Sequence, residues 1–213
     1  QIIGVLSRFF LQRHGVAVSN EKAVVNRTEL SDTHIQLLMT DTTTTPKDTT
    51  ASAPVNWKVN LHQLKLKNVS FGMKLPADSM KMAAYIGEAT IDDAKADLKN
   101  QFYGLKQFLL SGASASYDTG EAQPSEGFDA SHMAVRNIRI GLDSLLYEGR
   151  NMNAVIREIT MEERSGLSIT SLTGRLFSND SIIRIPELKL QTPHSEIDLS
   201  AQTYWELVNI PTT

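Results

Sequence analysis

The sequence predicts a mainly β protein, a long antiparallel sheet with few or no helices. Apolar and polar residues alternate with a period of two along much of the chain, most clearly between Ile183 and Leu199. This period places every second side chain on the same face of a strand. Turn-forming residues separate the alternating stretches, as at 179–181 and 192–195. Together these observations indicate a meander of strands that keeps one apolar face and one polar face.

The alternation changes parity at several points within strand-like stretches. Between 183 and 190 the apolar residues move from odd to even positions across Pro186-Glu187. Between 57 and 75 the parity changes twice, once after Leu61 and once after Leu66. A strand keeps its apolar residues on one face across such a change only if it bulges or bends there. We therefore predict bulges or bends at these positions.

Two segments leave helix and strand both open. Residues 1–40 contain alternating patches that predict short strands with a break at His14-Gly15, but residues 1–11 also fit the stripe of a short helix. Residues 91–110 fit a helical stripe when taken alone, whereas Ala94, Ala96 and Leu98 alternate as in a strand. The strand-like neighbours on both sides favour strands for 91–110.

Two polar stretches, at about 41–54 and 119–127, predict mobile loops. Neither stretch has enough large apolar side chains to offset the entropy that ordering would cost. Elsewhere the strand pattern continues without a clear boundary. We therefore interpret residues 1–213 as one continuous β segment rather than as separate domains.

An eight-residue pattern occurs twice and indicates an internal repeat. Residues 64–71 and 133–140 each contain two alternating apolar residues, then a basic residue and an Asn, then two apolar residues in shifted parity. The shared asparagines are Asn68 and Asn137. The repeat places the same parity change at the same point of two different strands.

The composition excludes several classes of function. The 213 residues have a net charge of −3, with both signs mixed, so no basic block is present to bind nucleic acid. Cysteine is absent, which excludes disulfides and thiolate chemistry. No apolar run reaches the roughly 18 residues that a membrane helix needs. The chain begins at Gln1 within an apolar stretch, and we interpret it as part of a longer protein whose anchor lies outside this sequence.

The sequence predicts no catalytic site, no cofactor and no metal centre. The five histidines are too far apart in sequence to form a local pair of metal ligands. Asp92-Asp93 and Glu162-Glu163 are adjacent carboxylates, and adjacent strand residues point to opposite faces, so neither pair predicts an acid–base dyad. No nucleophile elbow and no phosphate-binding glycine loop occurs. We therefore expect a protein that is not an enzyme.

Several turn and strand motifs resemble those of the AsmA-like proteins, and most closely the TamB-type branch. These motifs are Ser165-Gly166-Leu167, Leu172-Thr173-Gly174 and the stretch 183–195. The strand units that start at Trp57 and at Leu98 are similar to the repeating units of the same family. The resemblance covers most of residues 55–204, and residues 9–40 more weakly. The motifs describe strand rhythm and turns rather than chemistry.

The resemblance implies an antiparallel sheet folded lengthwise into an elongated groove (β-taco-like) with an apolar interior. It also implies a periplasmic cell-envelope protein, anchored in the inner membrane by a segment outside this sequence. The implied function is phospholipid transport between the inner and outer membranes and outer-membrane biogenesis, with acyl chains as the main partner and outer-membrane assembly proteins as further partners. The chain departs from the full family pattern because it has neither the anchor helix nor the C-terminal domain.

The candidate residues for the lining of this groove are the alternating apolar residues. They are Leu64, Leu66, Val69, Phe71, Met133, Val135, Ile138, Ile140, Leu167, Ile169, Ile183, Ile185, Leu188, Leu190, Ile197 and Leu199. The same residues would also fit the core of an ordinary β-sandwich, as in an extracytoplasmic binding or adhesion module. A third interpretation is a scaffold that assists outer-membrane protein insertion. Because no run of Arg or Lys occurs among the candidates, we expect low specificity for the lipid headgroup.

Overall fold

The computed structural model describes residues 2–6, 10–19, 21–39, 56–75, 79–120 and 123–207. All twelve strands in this part of the chain belong to one sheet. A short 3-10 turn at Trp205–Leu207 is the other regular element among these residues. No helix in the described ranges has the length and apolar character to cross a membrane. The predicted mainly β fold is therefore confirmed.

The strands follow one another closely and several are long. In chain order they are β1 (Ile2–Leu6), β2 (Phe10–Ser19), β3 (Lys22–Met39), β4 (Lys58–Leu75), β5 (Met80–Asp97), β6 (Phe102–Leu105), β7 (Gln107–Asp118), β8 (His132–Glu148), β9 (Asn151–Glu163), β10 (Ser168–Ser178), β11 (Ile182–Gln191) and β12 (Glu196–Tyr204). β3, β4 and β5 each contain 18 residues. At about 3.3 Å per residue, each of these strands is about 60 Å long.

The sheet order follows the chain order with two local interruptions. β1 and β2 pair with opposite ends of β3, and β6 and β7 both lie between β5 and β8. Every neighbouring pair is antiparallel except β3 and β4, which are parallel. The sheet is therefore mixed, a departure from the purely antiparallel sheet that the sequence predicts. A parallel pair needs a crossover connection of a dozen or more residues, and the chain from 40 to 57 has that length.

Residues 91–110 are strands and not a helix. β5 continues to Asp97, a turn follows at 98–101, and β6 and β7 complete the segment. β5 pairs with β4 on one side and with β6 and β7 on the other. Pairing on both sides overrides the helical preference of the local residues. The prediction of strands for 91–110, which rested on the strand-like stretches on both sides, is confirmed.

The N-terminal part differs from the sequence prediction in one detail. β1 shows that the start of the ambiguous segment 1–11 is a strand. β2 runs through His14-Gly15, so the predicted break there was wrong. The ladder between β2 and β3 lacks one pair at this point. His14 pairs with Arg27 and Val16 pairs with Val25, but the residues between them form no pair. The predicted loop at 41–54 lies outside the described residues, whereas the described part of 119–127 connects β7 to β8.

The predicted parity changes coincide with irregularities in the ladders. β4 pairs regularly with β5 except at two places, next to His62 and next to Asn68. Asn68 and Asn137, the asparagines of the repeat, have φ of 53° and 54°, in the left-handed region that Asn tolerates better than most residues. β11 is irregular across Pro186, between Ile185 and Leu188. The prediction of bulges or bends is confirmed at all three positions.

Little of the protein is fully buried. Among the described residues, the buried hydrophobic side chains are Val69, Ala89 and Ala113. A second layer packed on the sheet would bury many more, so the described strands form a single layer whose faces stay partly accessible.

The backbones of β5 and β7 approach closely at Gly87, which leads to a first prediction. A Cβ at Gly87 would lie 3.0 Å from the carbonyl oxygens of Ser111 and Gly112. We expect Gly87→Ala to destabilise the protein by about 1–3 kcal/mol, because the backbone must move to relieve this contact. Urea unfolding followed by circular dichroism measures the change.

Gly72→Ala is the matched control for this prediction. Gly72 is also a strand glycine, but the nearest atom to its added Cβ would be Gln36 Cγ at 3.8 Å. We expect this variant to be neutral or stabilised by up to about 1 kcal/mol, because alanine restricts the unfolded chain. Equal unfolding midpoints for the two variants would contradict the packing that we describe at Gly87.

Candidate functional site

One row of apolar side chains crosses the sheet from β3 to β12 without interruption. We call it the central apolar row, and each member is the direct cross-strand partner of the next. Its members are Leu30, Leu66, Ala89, Leu110, Ile140, Ile159, Leu172, Leu190 and Ile197. Directly opposed residues have their side chains on the same face. The row therefore extends one apolar surface across nearly the full width of the sheet.

A second row lies beside the central apolar row on the same face. Its members are Thr28, Leu64, Ile91, Phe108, Leu142, Ile156, Gly174, Leu188 and Leu199. Thr28 is its only polar member, and the Thr28 hydroxyl is buried without a hydrogen-bond partner among the described residues. Further pairs, such as Phe71 with Ala84 and Ala115 with Val135, continue the face toward the strand ends. We call this whole surface the apolar face.

The register brings the predicted groove-lining residues together, with one exception. Their wide separation in sequence is no obstacle, because cross-strand pairing joins β4, β8, β10, β11 and β12 through the strands between them. Leu167 is the exception: it lies in the turn between β9 and β10, and it is 47% exposed. The remaining candidates lie on the apolar face. Sequence reasoning missed the contributions of β5, β7 and β9, among them Leu110, Ile156 and Ile159.

The opposite surface, which we call the polar face, carries hydrogen bonds and ion pairs at the irregular positions. The Asn68 side chain donates to Asp32 Oδ1 at 3.0 Å and accepts from the Tyr85 hydroxyl at 3.2 Å. Asn137 Nδ2 donates to Glu162 Oε1 at 3.0 Å, and Arg136 Nε donates to Glu162 Oε2 at 2.9 Å. These two bonds hold the pKa of the Glu162 carboxyl below its usual value. The polar side chains thus connect neighbouring strands where the ladder is weakest.

A cavity of about 1,220 Å³ opens on the polar face near the ends of β4 and β5. Its floor follows one cross-strand row of small residues, Gly72, Ala83, Ser116 and Ala134. Four basic residues line this cavity, and they are Lys74, Lys81, Arg136 and Arg164.

The basic residues at this cavity were not expected from the sequence. They come from β4, β5, β8 and the turn after β9, so no continuous motif joins them. One signal was available, because antiparallel pairing of β4 with β5 places Lys74 directly opposite Lys81. Like charges at directly opposed positions disfavour pairing. Asp118, which lies opposite Lys81 on β7 and also lines this cavity, places a negative charge beside this pair.

A second cavity, of about 760 Å³, lies near the other end of the same strands. His62 Nδ1 is 3.4 Å from Asp93 Oδ1, and Lys106 Nζ is 4.0 Å from Asp93 Oδ2. All three side chains are about half exposed or more, and ion pairs of this kind contribute little. Within the described ranges, no three of His, Asp and Glu are grouped so that they could hold a metal ion.

A buried carboxylate shapes the turn that presents Leu167. Glu163 is 7% exposed, and its Oε2 accepts the backbone N–H of Ser165 at 2.6 Å. The Glu163 backbone N–H also donates to the Leu167 carbonyl at 2.7 Å. Hydrogen bonds from the Ser165 side chain, and then from its backbone N–H, lower the pKa of the Glu163 carboxyl from 4.5.

The lowered pKa of Glu163 predicts a pH dependence of stability. A carboxyl with a depressed pKa in the folded state stabilises the protein above its unfolded pKa and loses this effect as the pH falls through the folded pKa. We expect Glu163→Gln to lower the melting temperature at pH 7, and the difference from the parent chain to close as the pH falls below 4.5. Exposed Glu126 supplies the control variant Glu126→Gln. A difference that stays constant with pH would contradict this role of the carboxylate.

Comparisons with protein-family models, with curated proteins and with solved structures found no match for this chain. The resemblance to the AsmA-like proteins therefore rests on the strand and turn motifs of the sequence alone, and it stays a prediction. What the geometry adds is independent of it: one sheet with a continuous apolar face, and a polar face with two cavities.

Proposed function

We propose that this chain is a segment of a cell-envelope lipid conduit, in which the apolar face holds phospholipid acyl chains between the inner and outer membranes. The observation that carries the proposal is the central apolar row, which has no polar member from β3 to β12. An acyl chain needs an apolar surface without directional contacts, because the hydrophobic effect is non-directional. No bond is made or broken in this function.

The exposure of the apolar face supports an occupant. Ile197 is 50% exposed and Leu199 is 40% exposed, and Met82, Tyr103 and Tyr147 on the same face are exposed by more than a third. Leaving a large aliphatic side chain in water forfeits about 1.5–3 kcal/mol. A domain's whole stability is about 5–15 kcal/mol. The free energy released when lipid covers several such side chains is therefore a substantial fraction of that stability. Contiguous apolar patches of this kind are typical of interaction surfaces.

The distribution of burial supports a groove-like shape for this face. Among the described residues, the buried hydrophobic side chains Val69, Ala89 and Ala113 lie near the middle of β4, β5 and β7, whereas the buried side chains at strand ends are polar (His132, Glu163 and Ser178). A sheet that curves along its length would shield its midline in this way. An ordinary β-sandwich is less favoured, because a closed two-layer core would bury the whole inner face.

The family resemblance supplies the proposed location. We infer a periplasmic segment, with the inner-membrane anchor elsewhere in the full protein. In this arrangement the headgroups stay at the wet rim of the groove.

Photocrosslinking with a paired control tests the proposal. A photoreactive side chain at Leu199 lies on the apolar face, and one at the adjacent Asp198 lies on the polar face, opposite Lys189. In protein purified without detergent, we expect phospholipid adducts from position 199 and few or none from position 198. Native mass spectrometry of the same protein identifies any phospholipid that copurifies. No lipid in either measurement would overturn the proposal.

A substitution in the central apolar row provides a quantitative test. We expect Leu110→Gln to weaken phospholipid binding about tenfold, because a buried amide without a partner costs on the order of 1–3 kcal/mol. Leu109→Gln is the matched control, since Leu109 pairs with Thr90 and Gly141 and points to the polar face. Circular dichroism confirms that both variants fold. Equal loss of lipid in both variants would contradict the assignment of the faces.

A further inference from the structure

Aromatic side chains occupy one margin of the apolar face, at the end of the sheet where β4 begins. Tyr103 of β6 pairs directly with Tyr147 of β8, and their ring centres lie 6.0 Å apart. Val59 shares a cross-strand row with these tyrosines. The Leu98 N–H donates to the Trp57 carbonyl at 2.9 Å, which continues the ladder two residues beyond Val59 and places Trp57 on the same face. We call Trp57, Tyr103 and Tyr147 the aromatic margin.

The rings of the aromatic margin remain accessible from the apolar face. Each of the three residues is exposed by more than a third. This exposure does not come from a sheet edge, because β6 pairs with β5 and β8, and β8 pairs with β9 as well. A cross-strand aromatic pair stabilises the sheet, but in this position it leaves ring surface free for whatever occupies the apolar face.

The chemistry of the face changes in a fixed order toward this margin. Along β8 the apolar face carries Leu142, then Leu145, then Tyr147. Glu148 follows directly, and Arg150 lies in the turn to β9. Aliphatic, aromatic and charged residues succeed one another in the same order across the surface of a bilayer. Trp and Tyr are enriched there between hydrocarbon and headgroups, because each combines an apolar ring with a polar group.

The opposite margin of the apolar face has a different composition. The corresponding cross-strand row, which we call the methionine row, consists of Leu37, Met73, Met82, Tyr117 and Met133. The face stays apolar beyond this row, where Leu75 lies opposite Met80. Methionine is flexible and has no hydrogen-bond donor. The methionine row therefore suits hydrocarbon, whereas the aromatic margin suits the boundary between hydrocarbon and polar groups.

We propose that the aromatic margin is the subsite for the glycerol and headgroup region of a phospholipid whose acyl chains extend from it over the apolar face. This subsite rests on the proposed function and adds a direction to it, because the acyl chain ends point toward the methionine row. The hydroxyls of Tyr103 and Tyr147 and the indole N–H of Trp57 can donate to ester and phosphate oxygens. Glu148 and Arg150 supply both signs of charge, which matches a zwitterionic headgroup.

The dimensions of β4 fit one acyl chain length between the aromatic margin and the middle of the face. Val59, in the row of the tyrosines, and Leu66, in the central apolar row, are seven residues apart, or ~23 Å at ~3.3 Å per residue. The hydrocarbon of one bilayer leaflet is ~15 Å thick, half of the ~30 Å core. Chains that begin at the aromatic margin therefore end near Leu64 and Leu66 and do not reach Met73.

Two photoreactive phospholipids test this direction on the unaltered chain. Both carry a zwitterionic headgroup, and the diazirine lies near the carbonyl end of the acyl chain in one probe and near the methyl end in the other. Mass spectrometry identifies the labelled residues. We expect the carbonyl-end probe to label the aromatic margin more than the central apolar row, and the methyl-end probe to label Leu64 and Leu66 more than the aromatic margin.

The outcomes of this experiment separate the direction from the proposed function. The same distribution of adducts over the apolar face for both probes would overturn the direction and leave lipid holding in place. Carbonyl-end adducts concentrated at the methionine row would do the same. No adducts on the apolar face from either probe would overturn both the subsite and the proposed function.

Substitution of the tyrosine pair tests whether the aromatic margin sets the direction. We expect Tyr103→Leu combined with Tyr147→Leu to keep the copurified phospholipid, because the surface stays apolar. Labelling of Trp57 by the carbonyl-end probe should fall toward the level that the methyl-end probe gives. Tyr117→Leu, in the methionine row of the same face, is the matched control and should leave the labelling of Trp57 unchanged.

Circular dichroism checks that these variants fold, and a conservative pair covers a failure to fold. Tyr103→Phe combined with Tyr147→Phe keeps both rings and removes only the hydroxyls, and we expect a smaller loss of Trp57 labelling from it. Unchanged labelling of Trp57 in a folded Leu pair and in the Phe pair would overturn the subsite. An equal loss in Tyr117→Leu would overturn it as well.

Discussion

The apolar face is continuous because neighbouring strands change the parity of their apolar positions at places that lie side by side in the sheet. If β4 alternated without interruption, Phe71 and Met73 would point to the face opposite Leu64 and Leu66. The left-handed backbone of Asn68 prevents this, and Asp32 and Asn137 adopt the same conformation on β3 and β8. Because the irregular positions are near one another across the sheet, apolar residues remain opposite apolar residues on both sides of them. The hydrogen bond from Asn68 to Asp32 stabilises two of these positions together.

A single-layer sheet distributes its stability differently from a globular core. Each apolar side chain is covered mainly by its neighbours on the same face, because no second layer packs on the described strands. Full burial of an apolar side chain is therefore rare among the described residues, where it is found for Val69, Ala89 and Ala113. The cross-strand pair is then the unit of stabilisation. Within the described part of the chain, β12 has a neighbouring strand on one side only, and Ile197 and Leu199 are highly exposed there.

The two faces of the sheet have separate roles. The apolar face is mostly aliphatic, and Thr28 is the one polar position in its two central rows. The polar face carries the bonds that tie irregular positions together, including those from Asn137 and Arg136 to Glu162. It also contains both cavities.

The sequence by itself determined the fold class, the parity changes and most of the apolar residues. These depend on local backbone geometry: the period of two decides which face a side chain joins, and Asn or Pro marks where the strand is irregular. The tertiary structure alone decided the parallel pair of β3 and β4 and the basic residues around the larger cavity, and it settled the choice between helix and strand that the sequence left open at 91–110. It also decided that the apolar residues form continuous rows, because the partner of Leu66 or Ile140 is set by register. Register arises from contacts between residues far apart in sequence, and a pattern within one strand does not contain them.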